Sequence, residues 1–295
     1  MERESGQDDL NDALKLQATV QSANIEKEYK DLADHFFRDL GGSHLFQFQP
    51  SFLNDSVKRE ETWSDPERLR IASQIGSKGE NLQTILHLVK QREERTYNGF
   101  VASLRRFEPS FHGLAYDEER RQAVWLFDLG HVPPRTEEFP PQAVSDGLLR
   151  AAAIALLSSM RRPPALLMIE EIENGISQRN LGRFWSWLQQ AAGLPDSTDR
   201  GYNTQFLLTS HSPSILLEIS KHLDDVFYMR LERRGYKSVV RNLNSALLGF
   251  VDLGTVEGEV EKRDGKDVVI LSPQDLMNLW YSGIIGGEPA NEHRG

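Results

Sequence analysis

The segment ALLMIEEIENGI, residues 165–176, places several carboxylates directly after an apolar run. They are Glu170, Glu171 and Glu173, and like charges at this spacing repel one another unless a cation shares the site. A pair of acids at the end of a buried strand suits hydrated Mg²⁺, and a second acid can orient and deprotonate a water molecule. A solvated acidic turn is the alternative that this stretch leaves open.

A histidine follows a second apolar run, in TQFLLTSHSP, residues 204–213. His211 stands between Ser210 and Ser212, where an imidazole at a strand end can reach a phosphate. The alternative is a surface histidine in a strand-to-helix turn, with Ser212 capping a helix that begins near Pro213.

The segment VSDGLLR, residues 144–150, has the composition of a helix start. Ser145 stands where an N-cap would, and Gly147 lets a ligand approach the backbone closely. The helix that follows presents unpaired N–H groups and the positive end of its dipole, which favour an anion. An ordinary capped helix explains the same residues.

The elements that must position these residues alternate between strands and helices. PALLMI predicts a central strand buried on both faces, and TQFLLTSHSP a second buried strand. DVFYMRLER predicts a third strand, and the segments between the three have helical character. This order predicts parallel βαβ units, in which functional residues gather beyond the carboxyl ends of the strands. Glu170, Glu171 and His211 fall there.

The preceding part of the chain predicts a mixture of elements. A charged helical segment over residues 1–40 precedes a short strand stopped by Pro50. Two helices, a strand and a proline-rich loop follow, and they lead to a strongly apolar helix. Those segments are SKGENLQTILHLVKQREER, YNGFVASLRRFEPSF, RQAVWLFDLGH, VPPRTEEFPPQ and VSDGLLRAAAIALLSSM.

The bulk composition excludes some function classes. The 295 residues carry a formal net charge of −10 and no cysteine, which excludes disulfides, thiolate metal sites and cysteine nucleophiles. The charge argues against binding nucleic acid by bulk attraction, although basic residues between Arg230 and Arg241 leave a local basic face open. No apolar run reaches the ~18 residues of a membrane helix, so we expect a cytoplasmic protein with no membrane partner.

Taken together, VSDGLLR, LLMIEE and LLTSHS resemble, in order and spacing, the C-terminal lobe of ABC-type ATPases. The sequence is most similar to the RecF-, SMC- and OLD-like branch. The resemblance implies an α/β fold of the P-loop NTPase type, with a mostly parallel sheet and flanking helices. It assigns residues 41–285 to the lobe, residues 1–40 to the stump of an arm, and residues 286–295 to a polar tail.

The resemblance also implies roles for individual residues. Ser145, Asp146 and Gly147 match the signature loop, which touches an ATP held by the partner subunit. Glu170 matches the Walker B acid that holds Mg²⁺ through water, and Glu171 matches the catalytic glutamate. His211 matches the switch histidine, which senses the γ-phosphate. Residues 173–176 stand in the loop that crosses the dimer interface.

One part of the ATPase pattern is missing, because no GxxxxGK[ST] segment occurs in the chain. Without a phosphate-cradling loop we expect the chain alone to bind ATP poorly. The N-terminal P-loop lobe is then either part of a longer protein or a separate chain, or the protein is a degenerate relative. Intact acids, serine and histidine favour the first two explanations.

The leading hypothesis is therefore an ATP- and Mg²⁺-dependent switch that hydrolyses ATP only when a Walker A lobe completes it. Its partners would be a second ATPase lobe or a second copy, an effector protein, and nucleic acid in a nucleic-acid-linked or phage-defence process. The alternative is a non-catalytic module that regulates a complete ATPase. TVEGEVEKRDGKD, residues 255–267, resembles the opening of a Toprim nuclease, but Gly258 and Gly265 fit the turns of a β-hairpin better.

Overall fold

A computed structural model of the chain describes residues 43–55, 74–117, 122–130, 132, 135–160, 164, 166–192, 205–220, 222–232, 237–263 and 265–285. The charged helix predicted for residues 1–40 and the tail at 286–295 lie outside these residues. The chain forms two compact units. One takes in the residues up to Ile176 together with Ser186–Thr209, and the other takes in Ser177–Trp185 together with the residues from Ser210 onward.

Both units are built from short helices and strands. In chain order the elements are β1 (Ser43–Phe46), α1 (Pro50–Leu53), α2 (Leu82–Arg92), α3 (Glu94–Phe107), β2 (Phe111–Asp117), β3 (Gln122–Asp128), β4 (Thr136–Phe139), a 3₁₀ turn (Pro141–Ala143), α4 (Asp146–Ser159), β5 (Leu166–Ile169), α5 (Gln178–Ala191), β6 (Gln205–Leu208), α6 (Ile215–Ile219), a 3₁₀ turn (Leu223–Asp225), β7 (Phe227–Glu232), β8 (Lys237–Asn242), α7 (Leu243–Asp252), β9 (Glu259–Arg263), β10 (Lys266–Ile270) and α8 (Pro273–Tyr281).

A parallel sheet of order β1-β5-β6 lies in the first unit, which confirms a mixed α/β fold with a parallel sheet. Its strands are apolar but not buried on both faces, contrary to the prediction. Leu167 and Ile169 of β5 are buried, whereas Leu45 of β1 is 53% exposed and Leu207 of β6 is 55% exposed. Leu45, Met168 and Leu207 are paired in register, so they form one apolar row on the open face.

Among the described residues, the first unit also contains a three-stranded antiparallel sheet of order β2-β3-β4. The aromatic run of β3 was predicted as a strand, but β2 and β4 were not. β4 lies inside the proline-rich segment that was predicted as a loop, and its exposure alternates as TEEF pairs with β3. Two of its four residues are glutamates, which are uncommon in strands, so little in the sequence indicates a strand here.

The helix α4 forms the centre of the first unit. Its run from Ala151 to Leu156 is fully buried, as expected for a helix that is apolar all round. Small side chains let α3 approach it closely, and a Cβ added at Gly99 of α3 would lie 3.4 Å from Ser159 Cβ. Buried packing therefore fixes α4, and with it the segment VSDG at its amino end.

The second unit has its own apolar cluster, formed by α6, the second 3₁₀ turn, β7, α7, β10 and α8. The sequence predicts β7 as a third parallel strand, and this prediction is wrong, because β7 pairs antiparallel with β8 in a hairpin. β9 and β10 form another hairpin, and Gly265 occupies its turn with a φ of 79°. The hairpin interpretation of residues 255–267 is thereby confirmed, although Gly258 precedes β9.

No helix among the described residues is both long and apolar enough to cross a membrane.

Candidate nucleotide site

Ser145 caps α4, as its place in the sequence predicted. Its backbone is extended, with φ −64° and ψ 145°, and its Oγ accepts a hydrogen bond from the Leu148 N–H at 3.3 Å. Ser145 and Asp146 are exposed, whereas Gly147 is buried. The helix therefore begins at a solvent-facing turn whose backbone N–H groups point away from the helix.

Glu170 and Glu171 leave the carboxyl end of β5 as a half-exposed pair. The Glu170 N–H donates to the Phe46 carbonyl at 2.9 Å and so extends the pairing with β1. Glu171 instead has a φ of 49°, in the left-handed region that L-residues rarely adopt. The backbone therefore continues the direction of β5 at Glu170 and turns away from it at Glu171.

Three neighbours hold Glu171 in this conformation. Its N–H donates to Thr209 Oγ1 at 3.1 Å, and its carbonyl accepts from the Arg150 guanidinium at 3.2 Å. The amide nitrogen of Asn174 donates a short hydrogen bond to Glu171 Oε2. In the part of the chain that the structure describes, no hydrogen bond to Oε1 is formed, so Asn174 holds only one of the two carboxylate oxygens.

The amino end of α4 touches the turn that carries the acids. A Cβ added at Gly147 would lie 2.5 Å from the Gly175 carbonyl oxygen, so only glycine fits there. Gly175 has a φ of 77°, and a Cβ added to it would lie 3.1 Å from the Asp146 Cβ. Residues 145–147 and residues 170–175, far apart in sequence, therefore form one continuous surface.

Arg150 lies beneath this surface and is only 7% exposed. One guanidinium nitrogen donates to the Phe48 carbonyl at 2.5 Å, and another donates to Glu171. Burial lowers the pKa of Arg150, and the nearby carboxylates of Asp146, Glu171 and Glu173 raise it. The acids thus lie around a buried cation of the same chain.

His211 lies in the second unit, exposed, two residues after Thr209. The turn around it is built by serines: Ser210 Oγ accepts from the Ser212 N–H at 3.1 Å, and Ser212 Oγ accepts from the Ser214 N–H at 3.3 Å. Ser212 does not cap the following helix, contrary to what the alternative interpretation of this turn predicted. The helix α6 begins at Ile215, and Ser214 occupies its N-cap position without a side-chain hydrogen bond.

Three residues of the site were missed in the sequence, namely Arg150, Asn174 and Thr209. Arg150 left a signal, since a single cation in an otherwise apolar helix must find acceptors when it is buried. Asn174 and Thr209 left none, because their roles depend on the left-handed turn at Glu171, and sequence periodicity does not reveal a backbone turn of one residue.

The donor chemistry of the site fits a magnesium ion that keeps most of its water. Among the described residues, no group of three or more histidine, aspartate or glutamate side chains is arranged to hold a metal ion. Mg²⁺ in nucleotide sites takes only one or two carboxylates, with water and phosphate oxygens completing the shell. Glu170, half-exposed at the strand end, meets that smaller requirement.

A family model described as "AAA domain, putative AbiEii toxin, Type IV TA system" matches residues 12–218. The chain belongs to this family. The match covers well over half of the 295 residues and contains every candidate residue from Ser145 to His211. Among the curated proteins, none matches the chain.

Solved structures similar to this AAA-family chain include heads of SMC ATPases. An Smc head bound to the C-winged helix domain of ScpA has 14% identity and a TM-score of 0.38, with 55% of this chain and 47% of that chain covered. A structure from work on ATP-driven dimerization of SMC ATPases has 13% identity and a TM-score of 0.38, with 59% and 99% covered. The SMC head domain from Thermotoga maritima has 15% identity and a TM-score of 0.33, with 53% and 50% covered. The chain thus spans about half the length of the first and third of these.

Proposed function

We propose that this chain is part of an ATP-binding and ATP-hydrolysing switch of the ABC type. The observation that carries the proposal is the contact between Gly147 and Gly175, because it joins an anion-favouring helix start to a pair of acids at the end of a parallel strand. In this proposal the acids serve one nucleotide, and Ser145, Asp146 and Gly147 contact the ATP held by a partner subunit.

Glu170 is proposed to hold Mg²⁺ through water. When bound, the ion would neutralise charge on the phosphate oxygens of ATP. Glu170 is suited to this task because its backbone N–H is tied to the Phe46 carbonyl, which leaves its carboxylate at the rim of the sheet. The neighbouring acid is then available for a different task.

Glu171 is proposed as the residue that takes a proton from the attacking water. Its Oε2 is held by Asn174, so the carboxylate has a defined direction, and its Oε1 would accept the proton. His211 is proposed to sense the γ-phosphate by hydrogen bonding. In these roles Glu171 and His211 would act on the water and the γ-phosphate through hydrogen bonds and proton transfer, and neither residue would form a covalent bond to the nucleotide.

A Walker A lobe is proposed to come from further residues of a longer protein or from a separate chain. The open face of the parallel sheet supports this, since parallel sheets are covered on both faces. In the described part of the chain, Leu45 and Leu207 of the apolar row on that face are more than half exposed, and Met168 between them is partly buried. A second lobe that supplies the phosphate-binding loop would pack against this face and bury the apolar row.

The setting of the switch is proposed to be cytoplasmic, with a second copy of the chain as partner and an effector that responds to closure. The description of the family as a putative toxin of a Type IV TA system supports a defence process. An OLD-like branch within the wider ATPase class is part of the same proposal.

The test uses the complete protein with its Walker A lobe and compares wild type with Glu171→Gln. We expect ATP turnover to fall by about 100-fold or more, while ATP-dependent dimers persist in light scattering after size exclusion. The control is Glu94→Gln, an exposed acid in the first turn of α3. Turnover within twofold of wild type in the Glu171 variant would overturn the catalytic role.

A non-catalytic module that regulates a complete ATPase is the second candidate, and the exposed sheet face also supports it. In that case the Ser145 loop acts on a partner's nucleotide, and Glu171 is not needed. Unchanged turnover of the complex with Glu171→Gln, combined with loss of turnover for Ser145→Arg, would identify this candidate.

A further inference from the structure

Arg150 makes contacts that packing alone does not require. It is the one charged residue between Gly147 and Ser159, in a helix whose neighbouring residues are fully buried alanine, isoleucine and leucine. A buried guanidinium is costly unless its donors are used and its charge is compensated. In the described residues its Nε has no hydrogen-bond partner, so the site retains the cation although one donor is unsatisfied.

The two backbone carbonyls that accept hydrogen bonds from Arg150 lie just after two different strands. Phe48 follows β1 and Glu171 follows β5, and both present backbone carbonyls to the same guanidinium, at 2.5 and 3.2 Å. A fork of this kind fixes direction as well as distance, which a lysine ammonium does not do. Arg150, the fifth residue of α4, therefore ties the ends of two strands to the amino-terminal part of this helix.

The contact to Glu171 acts on a strained residue. Left-handed backbone costs an L-residue free energy and persists only where neighbours hold it. The Glu171 carbonyl is held by Arg150 and the Glu171 N–H is held by Thr209, so both of its peptide groups are fixed. The direction of the Glu171 side chain therefore depends on a residue that lies one helical turn from Ser145 and Gly147.

We propose that Arg150 is a positioning residue, which holds Glu171 in its left-handed turn. The proposal deepens the proposed function and rests on it for the role of Glu171. The guanidinium does not touch substrate. It acts through the peptide of the acid, so its loss affects the rate of the chemical step more than the affinity for ATP.

The test compares Arg150→Met, Arg150→Lys and the control Arg105→Met, an exposed arginine in the last turn of α3, in the complete protein. We expect kcat of Arg150→Met to fall by about 100-fold while KM for ATP stays within about threefold, because the acid is misplaced and the phosphate contacts remain. Arg150→Lys keeps a buried cation and reaches one carbonyl, so we expect an intermediate kcat.

The second measurement is amide hydrogen exchange of the same variants without nucleotide. We expect residues 171–176 of Arg150→Met to exchange at least about tenfold faster, as for loss of a hydrogen bond from a charged donor, while α3 exchanges as in wild type. Unchanged exchange at 171–176, or equal acceleration throughout α3 and α4, would overturn the positioning role. If Arg150→Met does not fold, Arg150→Lys is read by the same criteria.

These two measurements separate the inference from the proposed function. A wild-type protein that shows no ATP turnover contradicts the proposed function, whereas the exchange experiment still reports whether Arg150 holds the Glu171 turn. Normal turnover with unaltered exchange in both Arg150 variants contradicts only the inference.

Discussion

At the scale of single residues, the site depends on one backbone conformation. Glu171 has a φ of 49°, and its N–H, carbonyl and carboxylate are each held by a different residue, namely Thr209, Arg150 and Asn174. Such strain is stable only where the surroundings impose it, and it separates Glu171 from Glu170 in direction. The two acids can therefore take two tasks although they are adjacent in sequence.

The left-handed backbone at Glu171 predicts that a residue without a Cβ is more stable at this position than a residue with one. Glu171→Gly removes the carboxylate and relieves the left-handed backbone, whereas Glu171→Ala removes the carboxylate and keeps the Cβ. We expect the glycine variant to be more stable than the alanine variant by about 1 kcal/mol in urea unfolding. Equal stability of the two variants would show that the turn is unstrained.

A second residue predicts a pH dependence of stability. Burial raises the pKa of Tyr97 above its ordinary value of 10.0, and the hydrogen bond from the Leu114 N–H lowers it by less. The folded state therefore keeps the phenol proton at a pH where the unfolded state loses it. The stability that Tyr97 contributes is complete below pH 10 and is lost as the pH rises above that value.

The measurement is the free energy of unfolding of wild type and Tyr97→Phe from pH 8 to pH 11. We expect the wild type to lose stability relative to the variant above about pH 10. Taking the difference matters because Lys90, 5.8 Å from the Tyr97 ring, has a pKa lowered by burial and changes stability in the opposite sense. A difference that does not change with pH would contradict the assigned shift.

At the scale of elements, the candidate site lies where α4 meets the turn after β5. The approach leaves no room for a Cβ at Gly147, although glycine lowers the stability of a helix interior. The close contact therefore sets the residue type, and local helix propensity does not.

Alanine substitutions at two helical glycines separate these effects. Gly147→Ala would bring a Cβ within 2.5 Å of the Gly175 carbonyl, so we expect a loss of about 1–3 kcal/mol of stability. Gly249→Ala in α7 meets nothing within 4 Å, so we expect a gain of about 0.5–1 kcal/mol from helix propensity. Thermal unfolding measures both, and a neutral Gly147→Ala would contradict the contact.

The parallel sheet predicts a difference between its two faces. Leu167 of β5 is fully buried, and Leu207 of β6 is 55% exposed on the row formed with Met168. We expect Leu167→Asn to cost roughly 3–5 kcal/mol and Leu207→Asn to cost less than about 1 kcal/mol. Comparable losses in urea unfolding would show that other residues of this chain cover the row.

Much of the fold was predictable because its patterns are local. The helices α2, α3 and α4, the strands β3, β5 and β6, and the cap at Ser145 follow from periodicity, composition and capping chemistry within short segments. The pairing of β7 was predicted wrongly because strand partners are set by contacts across the chain. β8 follows after a short connection, and an antiparallel hairpin is the arrangement that such a connection allows.

The candidate site was predictable only in part, for a related reason. The acids, the serine and the histidine carry chemistry in their side chains, so their types and spacing make them candidates from the sequence alone. Arg150, Thr209 and Asn174 act on the backbone or the carboxylate of Glu171, and this role exists only once the left-handed turn has formed. Sequence patterns do not carry that information.

At the scale of the whole molecule, the proposed switch is divided between subunits. Glu171 would serve the nucleotide bound to its own chain, and Ser145 would serve the nucleotide of the partner. The contact of Gly147 with Gly175 brings the segments proposed for these two functions together within each chain. A symmetric dimer would then contain two composite sites, each built from both chains.

The most direct measurement of this claim is complementation between two inactive variants of the complete protein, Ser145→Arg and Glu171→Gln. Alone, each variant lacks one component of both sites, and we expect turnover to fall by about 100-fold or more. Mixed in equal amounts, half of the dimers combine the two variants and carry one intact site, so we expect roughly a quarter of the wild-type ATP turnover. A mixture as inactive as its components would contradict the claim that Ser145 and Glu171 act on nucleotides of different subunits.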